Sequence, residues 1–312
     1  MDRNREVVVL PRPGEAPADA RRGSVYFVGT ATVVIRYAGF TILTDPNFLH
    51  ARDHVHLGYG LTSPRLTNPA VDLGDLPPLD LVILSHMHGD HFDRIAAERL
   101  DRALPILTTA HAARKLRDMG FENLHALETW EAVDVLKGAA RLRVTAMPAK
   151  HAPGILRPLL PAVMGSLLEF QPEADRTAYR IYISGDTLLH DDLAEIPIRF
   201  PKADLALLHL GGTRLFGVLL TMDAKQGVEA IRVVDPRLAI PIHFNDSPVF
   251  QSTLGEFIVA VRAAGLEGRV RYLGHGDTYG FDVERPPAPQ RAVPRRESER
   301  RACPDRGPGV PG

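Results

Sequence analysis

The chain has 312 residues, 45% of them hydrophobic and 24% charged, which is enough apolar material to fill one large α/β domain or two small ones. Its formal net charge is −1, but from Glu284 onward seven Arg face four acids, so the remainder carries about −4 and offers no electrostatic footprint for nucleic acid. Cys303 is the single cysteine, which excludes an intramolecular disulfide and thiolate metal ligation in the core, and no apolar run approaches a membrane span, so a soluble cytoplasmic protein is expected.

Residues 1–22 are rich in Pro, Gly, Ala and charge and are read as an arm loosely ordered at its start; Val7-Val8-Val9-Leu10 is too short for a signal-peptide core. The β-branched and aromatic runs 25–28, 32–37 and 40–44, broken by Gly29 and by Ala38-Gly39, predict an antiparallel meander. It ends at Asp45-Pro46. A carboxylate there either orients a metal-binding imidazole through its free N–H or caps the turn. From 47 to 78 periodicity is lost while Pro, Gly and His gather, which predicts a long functional or lid-like loop. Its His50, His54 and His56 are either substrate contacts or simply solvated.

The apolar run Leu81-Val82-Ile83-Leu84 delivers Ser85-His86-Met87-His88-Gly89-Asp90-His91, three imidazoles and a carboxylate within six positions. His86 and His88 stand two apart on extended backbone, so they point the same way and can grip one ion. Asp90 and His91 lie where the pattern turns helical and face a neighbouring position, which predicts a second ion. The same device recurs. A strand at 106–109 precedes a helix at 111–119 ended by Gly120; a strand at 141–146 leads to His151; strands at 179–184, 205–208 and 238–242 deliver Asp186, His209 and His243. A helix at 222–234 lies among them. Functional side chains at successive strand ends describe an α/β architecture with its site along one sheet edge. Beyond Glu284 the chain is Pro, Arg, Gly and Ser without periodicity, and a disordered tail is expected.

His86, His88, Asp90 and His91, then His151, then Asp186 in Ser-Gly-Asp-Thr, then His243 in Pro-Ile-His-Phe resemble the metallo-β-lactamase-fold hydrolases in order and in strand-end position. Gly29-Thr30-Ala31-Thr32, Leu43-Thr44-Asp45-Pro46 and Thr221-Met222-Asp223 look like the branch that includes L-ascorbate-6-phosphate lactonase and N-acyl phosphatidylethanolamine phospholipase D. The resemblance implies an αββα sandwich over residues 23–283, with two mixed sheets face to face and helices outside. It further implies that His86, His88 and His151 hold one metal and Asp90, His91 and His243 the other, with Asp186 bridging. Two divalent ions are therefore expected, zinc first, with manganese or iron also suited to imidazole and carboxylate ligands. Such a pair would lower the pKa of a shared water, giving hydroxide near neutral pH for attack on an ester-type bond, a phosphodiester or a carboxylic ester including a lactone.

Asp90 could also handle protons in that reaction. Beyond the ligands, Gly212-Thr213-Arg214 offers backbone N–H groups and a guanidinium to an anionic substrate group, or is a turn with a solvated Arg. His209 is either a substrate contact or a rim residue. The apolar stretches 152–164 and 215–220 predict a lipophilic small-molecule substrate, a membrane contact or a homo-oligomer interface, with core cover as the alternative. A nuclease of the same fold and a metal-stabilised protein without turnover are the competing functions.

Overall fold

The computed structural model describes residues 6–11, 20–58, 61–154, 160–172, 179–215 and 217–283. The strand β1 (Glu6–Val9) is followed by the antiparallel meander β2 (Arg22–Gly29), β3 (Thr32–Tyr37) and β4 (Phe40–Thr44). A hairpin of β5 (His54–Gly58) and β6 (Leu61–Pro64) interrupts the stretch expected to be irregular. Next come β7 (Leu81–Ile83), α1 (Arg94–Arg99), β8 (Ile106–Thr108), α2 (Ala110–Asp118) and β9 (Leu124–Ala126). The second half runs through β10 (Ala132–Lys137), β11 (Ala140–Met147), β12 (Gly165–Gln171), β13 (Tyr179–Ile183), α3 (Glu195–Arg199) and β14 (Leu205–His209). It closes with the hairpin β15 (Arg214–Leu215) and β16 (Val218–Leu219), then α4 (Ala224–Val234), β17 (Leu238–Ile242), α5 (Leu254–Ala263) and β18 (Thr278–Asp282).

Two seven-stranded mixed sheets result, ordered β18-β2-β3-β4-β7-β8-β9 and β1-β10-β11-β12-β13-β14-β17. Side chains alternate across each strand, so one face of each sheet meets the other sheet and the opposite face meets helices. In β3, Val33, Ile35 and Tyr37 enter the inter-sheet core while Val34 packs with Ala112 and Leu116 of α2. In β14, Leu205 and Leu207 face the partner sheet while Ala206 and Leu208 pack with Val228 and Ile231 of α4 and Phe257 of α5. Burial on both faces is why β14 reads as an unbroken apolar run. The layers are helix, sheet, sheet, helix, the expected αββα sandwich. Helix starts are set by side-chain caps: Asp93, Thr109, Asp223 and Thr253 each accept a backbone N–H in the first turn of α1, α2, α4 and α5.

The N-terminal arm contributes a strand that the sequence reading does not place. Residues 6–9 pair parallel with β10 as an edge strand, burying Val8 and leaving Val7 and Val9 exposed. Four residues are too few for the alternation to stand out in the sequence. Residues 1–5 and 12–19 of that arm, 155–159 and Phe216 of the apolar loops, and the tail 284–312 lie outside the described residues.

Because β4 and β7 run parallel, as do β13, β14 and β17, their C-terminal ends open on one rim. That rim carries Asp45, the 85–91 segment, Asp186, His209 and His243.

Candidate metal centre

Seven side chains from the segments that follow four strands, β7, β11, β13 and β17, converge there in two groups. His86, His88 and His151 bring ligand atoms within 4.8 Å of one another, and so do Asp90, His91, Asp186 and His243. In the first group His86 Nε2 and His151 Nε2 lie 2.8 and 3.2 Å from His88 Nδ1. In the second, His91 Nε2 is 3.4 Å from Asp186 Oδ2, and His243 Nε2 is 3.4 Å from Asp90 Oδ2. The groups adjoin. Asp186 Oδ2 also lies 4.0 Å from His151 Nε2, so one carboxylate faces both.

The inward nitrogens are fixed because the outward ones are occupied. His151 Nδ1 lies 3.1 Å from the Leu220 carbonyl and His243 Nδ1 3.1 Å from the Leu210 carbonyl, which makes each Nδ1 an N–H donor and turns Nε2 toward the group. His91 Nδ1 stands 3.2 Å from Asp45 Oδ2, the orienting geometry rather than a turn cap alone. Asp45 Oδ1 accepts the Ser85 N–H at 2.7 Å, and Ser85 Oγ sits 3.0 Å from His86 Nδ1. Thr221 Oγ1 donates to Asp186 Oδ2 at 3.1 Å.

Burial and charge polarise the two groups differently. Burial, then the neighbouring His91, His88 and His151, push His86 well below the ordinary histidine value, and burial with His151 holds His88 at about 3. Burial also lowers His151. All three are neutral donors. Burial likewise opposes charge on His91 and His243, but Asp186 outweighs it at both, aided by Asp45 and Asp90 at His91 and by Asp90 at His243, and both are raised. The carboxyls of Asp90 and Asp186, which burial alone would raise, are held below their ordinary value by His91 and His243.

The donor set fits divalent cations. Asp90 Oδ1 and Asp186 Oδ1 are buried with no hydrogen-bond partner among the described residues, a costly state for a carboxylate oxygen unless a cation completes it. Imidazole and carboxylate without thiolate suits zinc, manganese or iron. A third grouping, Asp45, His91 and His209, shares His91 with the second. A neutral imidazole supplies one nitrogen to one ion, so these residues serve as support behind the second position.

His209 is fully buried, its Nε2 3.2 Å from Asp45 Oδ2, which places it behind His91 rather than on a substrate-facing surface. His54 and His56 are exposed on β5, and His50 is exposed with Nε2 2.9 Å from Asp72. Arg214 donates to the Gly217 carbonyl at 3.1 Å. It lines a cleft of about 690 Å³ with Lys225, Ser252 and Val259, to which no metal ligand contributes. Thr213 pairs through its backbone with Leu220 and Phe250. Ser85 and Thr221 were not singled out as functional from sequence, although Ser85 directly precedes the first ligand and Thr221 opens a recognised motif.

Among the described residues no helix is long and apolar enough to cross a membrane. The profile of the β-lactamase superfamily domain matches residues 41–244, a range that contains all seven of these side chains. A UPF0173 metal-dependent hydrolase from Anaeromyxobacter dehalogenans is 27% identical over 273 residues, covering 85% of this chain and 89% of the relative. Among solved structures, an isothiocyanate hydrolase from Delia radicum gut bacteria superposes with a TM-score of 0.69 at 22% identity, covering 84% of this chain and 100% of that one. Igni18, a metallo hydrolase from Ignicoccus hospitalis, does so with a TM-score of 0.63 at 21% identity, covering 84% and 100%. With the profile spanning most of the domain and the donor set assembled on its rim, the chain belongs to the β-lactamase superfamily, among the metal-dependent hydrolases of the metallo-β-lactamase fold.

Proposed function

We propose that the chain is a dinuclear metal-dependent hydrolase of an ester-type bond, either a phosphodiester or a carboxylic ester including a lactone. The observation that carries this reading is Asp186, whose Oδ2 faces His91 Nε2 at 3.4 Å and His151 Nε2 at 4.0 Å, so one carboxylate serves both donor groups. His86, His88 and His151 would hold one cation and Asp90, His91 and His243 the other. Bound divalent ions supply Lewis acidity and lower the pKa of water toward neutrality. The protein's own groups do the rest. Asp186 holds the two positions in register through the Thr221 hydrogen bond, and Asp90, with Oδ1 unpartnered, is placed to exchange a proton with the attacking water. Among the described residues no serine, threonine or cysteine forms a nucleophile pair with these imidazoles at an exposed position.

The apolar composition of 160–164 beside His151 and of the β15–β16 hairpin supports a lipophilic substrate. At about 0.8 kcal/mol per methylene, two added carbons should raise kcat/KM roughly tenfold until the groove is filled. The test is elemental analysis of the purified protein together with a panel of phosphodiesters, lactones and acyl esters of graded chain length. An isothiocyanate belongs in the panel because a structural neighbour hydrolyses that class. Metal-dependent turnover of an ester-type bond, lost in Asp186→Asn, is the expected result. Turnover of the isothiocyanate alone would overturn the ester reading, and a response independent of chain length would overturn the lipophilic one.

A further inference from the structure

His243 is held in an unfavourable backbone conformation, and the group that secures it is not a ligand. Its φ is +62°, and Thr30, whose carbonyl accepts the His243 N–H at 2.6 Å, has φ +49°. Both are left-handed, a region that a β-branched or bulky residue adopts only where its surroundings compel it. Asp246, three residues past His243, supplies that compulsion. Its Oδ2 accepts the Thr30 N–H at 2.9 Å, and its Oδ1 accepts the Thr67 hydroxyl at 2.5 Å and faces His275 Nε2 at 3.3 Å. Its own carbonyl accepts the Leu66 N–H at 2.9 Å.

The carboxylate is 1% exposed. It joins the β2–β3 turn, the segment after β6, the turn after β17 and the loop before β18. Arg65, itself buried, completes the cluster, with Nε donating to the Thr67 carbonyl at 3.3 Å. The space beside Gly29 is equally full: a Cβ at Gly29 would stand 3.1 Å from His275 Cε1 and 3.4 Å from Arg65 Nη2. Through Thr30, whose N–H it accepts and whose carbonyl accepts the His243 N–H, Asp246 is two hydrogen bonds from the His243 backbone.

We propose that Asp246 is a positioning residue for the second cation site: by holding Thr30 in its left-handed turn it fixes the His243 backbone and aims Nε2 at the position shared with Asp90. The proposal rests on the two-cation reading above. A merely structural carboxylate would lower the melting temperature and leave both metal affinities alone. A positioning one weakens the second ion selectively.

The experiment is chelator competition and elemental analysis on full-length wild type, Asp246→Ala, Asp246→Asn and Thr30→Gly, with thermal melts in parallel. In Asp246→Ala the first ion should bind as in wild type and the second at least tenfold more weakly. Asp246→Asn keeps an oxygen for the Thr30 N–H but loses the charge that faces His275, and should recover only part of that loss, leaving the second ion severalfold weaker. Thr30→Gly adopts the left-handed turn without strain while keeping its N–H, and should bind both ions. Should the alanine variant fail to fold, Asp246→Asn decides the matter through a severalfold weaker second ion with the first unchanged. Two ions at wild-type affinity in every Asp246 variant that folds would overturn the proposal alone. Fewer than two ions in wild type would overturn the two-cation reading and the proposal with it.

Discussion

Asp45→Ala removes the carboxylate that orients His91 and His209. Asp45 is 1% exposed and serves three donors: the Ser85 N–H at 2.7 Å, His91 Nδ1 at 3.2 Å and His209 Nε2 at 3.2 Å. Burial would raise its pKa, but the charge on His91 and hydrogen bonds from His209 and His91 lower it from 3.8 to about 2. A difference of that size corresponds to about 2 kcal/mol of stabilisation of the charged form. The contribution is fully present above pH 3.8 and is lost as pH falls through about 2, because the folded-state carboxyl is the stronger acid. Truncation costs more than the charge term, since three buried donors are stranded and a buried ion pair is broken; roughly 3–5 kcal/mol is expected in metal-free protein. Asp45→Asn, which keeps one acceptor oxygen, should lose about 2 kcal/mol. Because Asp45 also fixes the His91 tautomer, either change should weaken the second cation by about 10–100-fold. Denaturant melts at pH 7 after chelator treatment, followed by metal titration, measure both quantities. An alanine variant within about 1 kcal/mol of wild type and with unchanged metal affinity would refute the reasoning, since surface-like behaviour of that size belongs to residues outside such networks.

Metal uptake at neutral pH should release protons, because Asp186 and Asp90 raise His91 and His243 in the metal-free state and a cation must displace those protons. Affinity therefore rises with pH through the elevated histidine values; calorimetry in buffers of different ionisation enthalpy reads the proton count, and a buffer-independent heat would contradict it. Gly89→Ala should disturb the metal loop, since its Cβ would stand 2.6 Å from the His56 carbonyl oxygen of the β5–β6 hairpin, backbone that cannot easily move. A loss of roughly 1–3 kcal/mol is expected, and a melt equal to wild type would show that the hairpin lifts freely. Truncation after Val283 should leave folding and turnover intact, because β18 ends at Asp282 and completes its pairing with β2 there. Loss of cooperative melting in that variant would show that the tail docks on the domain.

The ligand set was legible because its chemistry is local. Four donors crowd into 86–91, and His151, Asp186 and His243 each follow a run that reads as a strand in the sequence. Runs of β-branched, aromatic and apolar residues likewise placed β3, β4 and β17 at their observed bounds. The β5–β6 hairpin was hidden because its strands are short, largely polar and joined only to each other. What surrounds the ligands was decided by tertiary structure. Asp45 meets His209 across 164 residues and Asp246 meets Thr30 across 216, and a hydrogen bond of that span leaves no periodic trace along the chain. His209 has the same strand-end setting as Asp186 and His243, yet its ring is directed at Asp45 and stacks at 5.8 Å on His91. Residue type and spacing determine which atoms can bind a cation. Only the packing of two sheets against each other determines which of them face it and which hold the others in place.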